Sequence, residues 1–162
     1  MIVSGSTSPV SDTDTYRNTI FGFSFLYPSG WTITEKRISE PIPLVVEVVD
    51  SLKTHRLSVE VYKDADFVAT VKDRIARHIP IDLESPKTDQ IMIDGTSHEA
   101  YIYPDGFECN MGNPDQGDCS FFRAYVLQGN DIVYELYALG DAKTISSLYR
   151  QIFSTFKTGS VQ

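Results

Sequence analysis

Apolar residues recur along this chain with two periods. A period of two runs through residues 21–27, Phe-Gly-Phe-Ser-Phe-Leu-Tyr, until Pro28-Ser-Gly30 ends it. That pattern predicts a first strand entering a turn, with 31–36 as its return strand. Runs rich in β-branched residues at 44–50 and 56–62, joined by 51–55, predict a hairpin. Further on, 90–93 and 98–103 flank Asp94-Gly95, while 120–128 and 132–139 flank Gly129-Asn130-Asp131. These turn signals predict two more antiparallel pairs.

The period becomes helical twice. Over 66–79, Phe67, Val68, Val71, Ile75 and Ile79 fall on one stripe, with Lys72, Asp73, Arg74 and Arg77 opposite. Asp64 or Asp66 can cap this helix, and Pro80 helps stop it. Near the end of the chain, Ile145, Leu148, Tyr149, Ile152, Phe153 and Phe156 share a face, with Asp141 as the expected N-cap and Gly159 past the end. Strands and helices do not alternate strictly. The expected class is therefore α+β: an antiparallel sheet of about six to eight strands packed with two main helices, not a doubly wound parallel sheet. Residues 1–15, rich in Ser and Thr, read as a flexible linker, 16–158 as a single domain and 159–162 as a tail.

Two stretches, Tyr16-Arg-Asn-Thr-Ile-Phe-Gly-Phe-Ser-Phe-Leu-Tyr-Pro-Ser-Gly-Trp31 and Ile152-Phe-Ser-Thr-Phe-Lys157, carry a family pattern. The aromatic-Gly-aromatic strand, the Tyr-Pro-x-x-Trp turn and the closing Ser-Thr-Phe resemble the PsbP-like domain family. That family includes extrinsic photosystem proteins, a Ran-binding protein of similar fold, and small bacterial exported or lipid-anchored proteins of unassigned role. The resemblance implies an α/β/α sandwich and an accessory or binding role without chemistry. The motif residues fix a corner and a large core ring, so they mark fold and not activity.

Charge narrows the partners. The 162 residues carry 14 Lys and Arg against 22 Asp and Glu, a net charge of -8. Such a balance repels phosphate backbones and anionic headgroups, which argues against nucleic acid and membrane-surface binding. Between Lys87 and Arg123 there is no Lys or Arg, while Asp89, Asp94, Glu99, Asp105, Glu108, Asp115 and Asp118 fall in that span. No apolar run is long enough to cross a bilayer. A Ser/Thr-rich tether commonly follows a membrane anchor and is equally compatible with a natural flexible N-terminus, so the expectation is an extracytoplasmic domain, with a tether through an N-terminal anchor as one of two alternatives.

The two cysteines, Cys109 and Cys119, sit in one polar loop-like stretch, 104–119. Buried thiols belong in apolar runs, and zinc would want further ligands at short spacing, which the isolated His55, His78 and His98 do not supply. A disulfide is the favoured reading; closing so short a loop is worth about 2–3 kcal/mol and implies an oxidising compartment. Asp105, Glu108, Asp115 and Asp118, with Asn110 and Asn113, offer calcium the oxygens it prefers, but not at the spacing of a helix–loop–helix site. The solvated, stapled loop is favoured, and no metal or cofactor is expected.

Strand alternation supplies the candidate binding face. It groups Glu99, Tyr101 and Tyr103, and separately Arg123 with Tyr125, Glu135 with Tyr137, and Glu60 with Tyr62. Adjoining strands would make a tyrosine-rich face with carboxylates and an arginine, the chemistry of protein and sugar recognition. The bland alternative is a face covered by a helix, its charges paired across strands. Catalytic motifs are absent: Ser24 lies in Gly22-Phe-Ser-Phe25 and lacks the Gly-x-Ser-x-Gly elbow, and no phosphate loop occurs. The expected function is a non-enzymatic exported or cell-envelope accessory domain, monomer or weak dimer, binding an envelope protein or glycan. The rivals are a small hydrolase or glycan-processing enzyme using Glu99 and Glu135, and a cytosolic adaptor with reduced thiols. Edge strands near 44–50 would support a dimer.

Overall fold

The computed structural model describes residues 12–39, 42–77, 87–108, 118–128, 131–141 and 144–159. Ten strands and two helices follow in the order β1 (Thr13–Asn18), β2 (Phe23–Pro28), β3 (Thr32–Lys36), β4 (Leu44–Val49), β5 (His55–Lys63), α1 (Ala65–Ala76), β6 (Lys87–Ile93), β7 (Thr96–Glu108), β8 (Asp118–Gln128), β9 (Ile132–Asp141), α2 (Ile145–Phe153) and β10 (Lys157–Thr158). Seven strands form one antiparallel sheet, β3-β4-β5-β9-β8-β7-β6, and three form a small one, β1-β2-β10. The α+β class holds.

Period-two alternation places the core. Leu57, Val59 and Val61 of β5 stand opposite Ala138, Leu136 and Tyr134 of β9, and this row continues into Phe122, Ala124 and Val126 of β8. All are buried, under Ile145, Tyr149, Ile152 and Phe153 of α2 and under Tyr16, Phe23 and Phe25 of the small sheet. Tyr134 anchors the two layers: its hydroxyl donates to the Phe21 carbonyl at 2.5 Å, and burial pushes its phenol up to about 12. Tyr16 bridges the sheets in the same way, donating to Glu35 Oε1 at 2.5 Å. The opposite face carries α1, whose Val68 and Val71 pack on Tyr125 and Val133.

Several expectations change. Strands β2 and β3 are not a hairpin, because Phe23 and Phe25 bury into the small sheet while β3 pairs with β4 and forms an edge of the large one. The turn after Pro28 thus hands the chain from one sheet to the other. Residues 13–15, assigned to the linker, belong to β1, whose Tyr16 and Asn18 are buried. Strand β4, taken as an edge, lies between β3 and β5; the edges of the large sheet are β3 and β6. Asp141 ends β9 instead of capping α2, whose N-cap is Thr144, and Asp64 caps α1 through Asp66 and Phe67 backbone N–H groups.

The loop expected at 104–119 is shorter than composition suggested. Strand β7 continues to Glu108 and β8 begins at Asp118, with Phe107 opposite Cys119 and Glu108 opposite Asp118. A register shift between Tyr103 and Phe107 absorbs Pro104 and Gly106, residues that read as strand breakers but are tolerated at bulges. Cys109, Asp115 and His78 lie outside the described residues, as do the side chains of Asp105, Glu108, Asp118 and Cys119. The Asp94-Gly95 hairpin forms as expected, with φ of 50° and 77°.

Candidate functional site

On the α1 side of the large sheet the strands present their second set of residues. Tyr62, Tyr125, Leu127 and Val133 lie beneath α1 at one end. Beside it the face turns polar and forms a groove of about 320 Å³, lined by Glu47 from β4, Arg56, Ser58, Glu60 and Tyr62 from β5, Arg123 from β8, and Glu135 and Tyr137 from β9. Register explains the convergence. Ser58 stands opposite both Glu47 and Tyr137, Tyr137 opposite Arg123, and in the next row Glu60 stands opposite Glu135.

Arg123 and Glu135 pair at the centre of the groove. Arg123 Nε lies 3.3 Å from Glu135 Oε1, and its guanidinium sits over the Phe121 and Tyr137 rings at 5.5 and 5.7 Å. Glu135 is only 7% exposed, so this pairing offsets the cost of holding its charge away from water. Tyr62 donates its hydroxyl to Glu60 Oε2 at 2.7 Å, and Lys36 Nζ lies 3.3 Å from Glu47 Oε2 at the rim. Burial pushes the Tyr62 phenol up strongly, and the charges of Glu135 and Glu60 push it further. Tyr137 is raised by burial, an effect that Arg56 and Arg123 reduce. Both phenols therefore stay protonated donors at neutral pH, beside carboxylates that only accept and guanidiniums that only donate.

Five residues expected on a binding face, Glu60, Tyr62, Arg123, Glu135 and Tyr137, meet in this groove. Tyr125 shares the face but is 3% exposed beneath α1, so it packs and cannot bind. Tyr101 and Tyr103 occupy β7 positions opposite Arg123 and Phe121; their side chains, and that of Glu99, lie outside the description. The carboxylate directly facing Glu135 is Glu60, not Glu99. Glu47, Arg56 and Ser58 went unnoticed. For Arg56 and Ser58 the signal lies in Arg56-Leu-Ser-Val-Glu-Val-Tyr62, a clean polar/apolar alternation that puts them on the face of Glu60 and Tyr62.

A second cluster surrounds His55. Its Nε2 lies 2.8 Å from Thr144 Oγ1, and its Nδ1 2.9 Å from Thr54 Oγ1 and 3.3 Å from Asp50 Oδ2. The order Asp, His, Thr has the outline of a catalytic relay. Its other bonds show a brace: Asp50 Oδ1 also accepts the Thr54 and His55 backbone N–H groups, closing the β4–β5 turn, and Trp31 stacks on the imidazole at 6.3 Å. His55 ties that turn to the start of α2. Among the described residues, no group of three or more His, Cys, Asp or Glu is placed to hold a metal ion, and no helix is long and apolar enough to cross a membrane.

Comparison with solved structures decides the architecture. Over 98% of both chains, the solution structure of cyanobacterial PsbP (CyanoP) from Synechocystis sp. PCC 6803 superimposes with a TM-score of 0.53 at 14% identity. The fold is PsbP-like. A crystal structure from Bacteroides thetaiotaomicron VPI-5482 matches 90% of this chain with a TM-score of 0.56 at 12% identity. This chain spans about half, 48%, of that protein. No family model and no curated protein matches the sequence. At these identities the likeness speaks of fold alone, so the PsbP-like domain must be read through its own groove.

Proposed function

We propose that this PsbP-like domain is a non-enzymatic accessory module of the cell envelope, which binds another envelope component through the groove beside α1. The observation that carries the reading is the convergence of polar side chains from four strands around the Arg123–Glu135 pair. Donors and acceptors held on a rigid sheet around a partly buried ion pair suit recognition. The CyanoP likeness supports an extracytoplasmic setting, because PsbP is the extrinsic photosystem protein of the family noted above.

The test is a diazirine amino acid placed at Glu47, on the groove, and at Thr70, exposed on α1. Irradiation in cells should give a discrete adduct from position 47 that disappears in Arg123→Ala, and none from position 70. Equal adducts from both positions, or none from 47, would sink the reading. Compartment is tested separately. Intact protein purified without reductant should resist thiol alkylation and weigh two hydrogens less than its reduced form, as a Cys109–Cys119 bridge requires; full alkylation would support a cytosolic adaptor instead.

A further inference from the structure

The groove also specifies what it takes, an inference that rests on the reading just proposed. Its residues are strongly polar yet collectively balanced: Glu135 is matched by Arg123, Glu47 by Lys36 at the rim, Glu60 accepts from Tyr62, and Arg56 lines the same groove. A charged ligand entering such a set must break a pair or bring an unmatched charge into a partly desolvated site, and either is costly. An amphoteric ligand meets no such penalty. A hydroxyl can donate to the Glu60 carboxylate, which also accepts from Tyr62, and accept from the Arg56 guanidinium on the same strand.

Geometry favours several hydroxyls on one rigid ring. Glu60 and Glu135 are direct cross-strand partners, so their Cβ atoms stand about 4.5–5.5 Å apart. Side chains rooted that close can serve a single sugar ring. Tyr62 and Tyr137, both partly exposed, add aromatic carbon on the same sheet face, which suits the C–H face of a sugar. The volume, about 320 Å³, lies at the lower end of the range for small-ligand clefts, about 300–1,000 Å³.

We propose that the groove binds an uncharged saccharide, a short stretch of neutral glycan laid across β5 and β9 with its hydroxyls on Glu60, Glu135 and Arg123. The experiment is an amide NMR titration of the full chain with hexaoses of glucose (α-1,4 and β-1,4), mannose and N-acetylglucosamine, each to 10 mM, beside pentalysine as a cationic peptide. Saturable shifts should centre on Ser58, Glu60, Glu135 and Tyr137 with at least one hexaose. Affinity should fall about tenfold or more in Glu60→Ala and several-fold in Tyr137→Phe, which keeps the ring and its packing. Hexaose shifts elsewhere, or none with any of the four, would overturn the saccharide. If pentalysine alone perturbs these residues, the groove binds a basic protein segment; the saccharide proposal then fails while the position-47 adduct survives. Loss of both results would remove the groove as a binding site. New anomeric signals appearing during the titration would support the saccharide and replace the non-enzymatic reading by a hydrolase.

Discussion

Glu60 and Glu135 face each other across the β5–β9 pair, two carboxylates in directly opposed positions, with the Tyr62 hydroxyl donating to Glu60 at 2.7 Å. Like charges so placed repel, at a cost of about 0.2–1 kcal/mol in a sheet. A protein keeps such a pair at the expense of stability when the site has a use for it. Glu60→Gln removes the repulsion and keeps an acceptor for Tyr62, so it should raise stability by up to about 1 kcal/mol while weakening ligand binding. Urea unfolding of the two proteins checks this. A lowered midpoint would show that the Glu60 charge is itself stabilising.

Gly140 is fixed by the histidine beside it. A Cβ built there would lie 2.5 Å from His55 Cδ2 and 3.0 Å from the Thr54 carbonyl oxygen. His55 cannot simply swing away, since its ring nitrogens hold Thr144 and the Asp50–Thr54 turn. Gly140→Ala should therefore cost about 1–3 kcal/mol, as overpacking of a well-filled site does. Removing the obstacle should restore part of the loss: in a double-mutant cycle, Gly140→Ala in a His55→Ala background should cost markedly less. Strict additivity would mean that the backbone contact with Thr54, not the imidazole, sets the requirement.

Tyr149 shows the reverse, a polar atom with nothing to do. Its ring stacks on Phe122 with centroids 3.6 Å apart, and among the described residues its buried hydroxyl has no hydrogen-bond partner. Desolvating an unsatisfied hydroxyl costs about 1–3 kcal/mol. Tyr149→Phe keeps the stack and removes the oxygen, so thermal unfolding should occur at a higher temperature. A lower one would mean that the hydroxyl is satisfied in solution, by water or by residues outside those described.

Much of this was legible in the sequence, for reasons that individual residues make plain. Alternation in β9, with Tyr134, Leu136 and Ala138 facing one way and Glu135 and Tyr137 the other, gives both the core row and half of the groove. Tertiary pairing is what the sequence withheld. Phe21 to Gly30 reads as a strand and turn whichever sheet receives it, and only the burial of Phe23 and Phe25 against Tyr134 and Phe156 decides that β2 joins the small sheet. Likewise nothing local in Arg123-Ala-Tyr125 distinguishes a residue open to a groove from one beneath a helix. That depends on where α1 lies, and Val68 and Val71 cover Tyr125 while leaving the row of Arg123 open.

Asp50 gives the fold a defined sensitivity to acid. Burial alone would raise its carboxyl, but the Thr54 hydroxyl, the His55 backbone N–H and imidazole, and the Thr54 backbone N–H outweigh that and hold it below its ordinary value of 3.8. A carboxylate depressed in this way stabilises the fold fully above its unfolded value, near 3.8, and loses that contribution as pH falls below it and through the folded value. Asp50→Asn keeps the shape of the side chain but removes the charge, and at neutral pH it should cost about 1.5–3 kcal/mol, the scale of hydrogen bonds to charged groups. The gap between wild type and variant should shrink steadily from pH 4 to 2. Urea midpoints at each pH measure it. A gap that persists undiminished at pH 2 would mean that the turn needs the geometry of the side chain and not its charge, and the acid sensitivity would then have to come from another group. Of the described histidines, His98 is the alternative source, because burial lowers its pKa and its protonation below pH 6.5 also disfavours the folded state. The two are separable by window, since His98 acts as pH falls below 6.5 whereas Asp50 acts only below about 4.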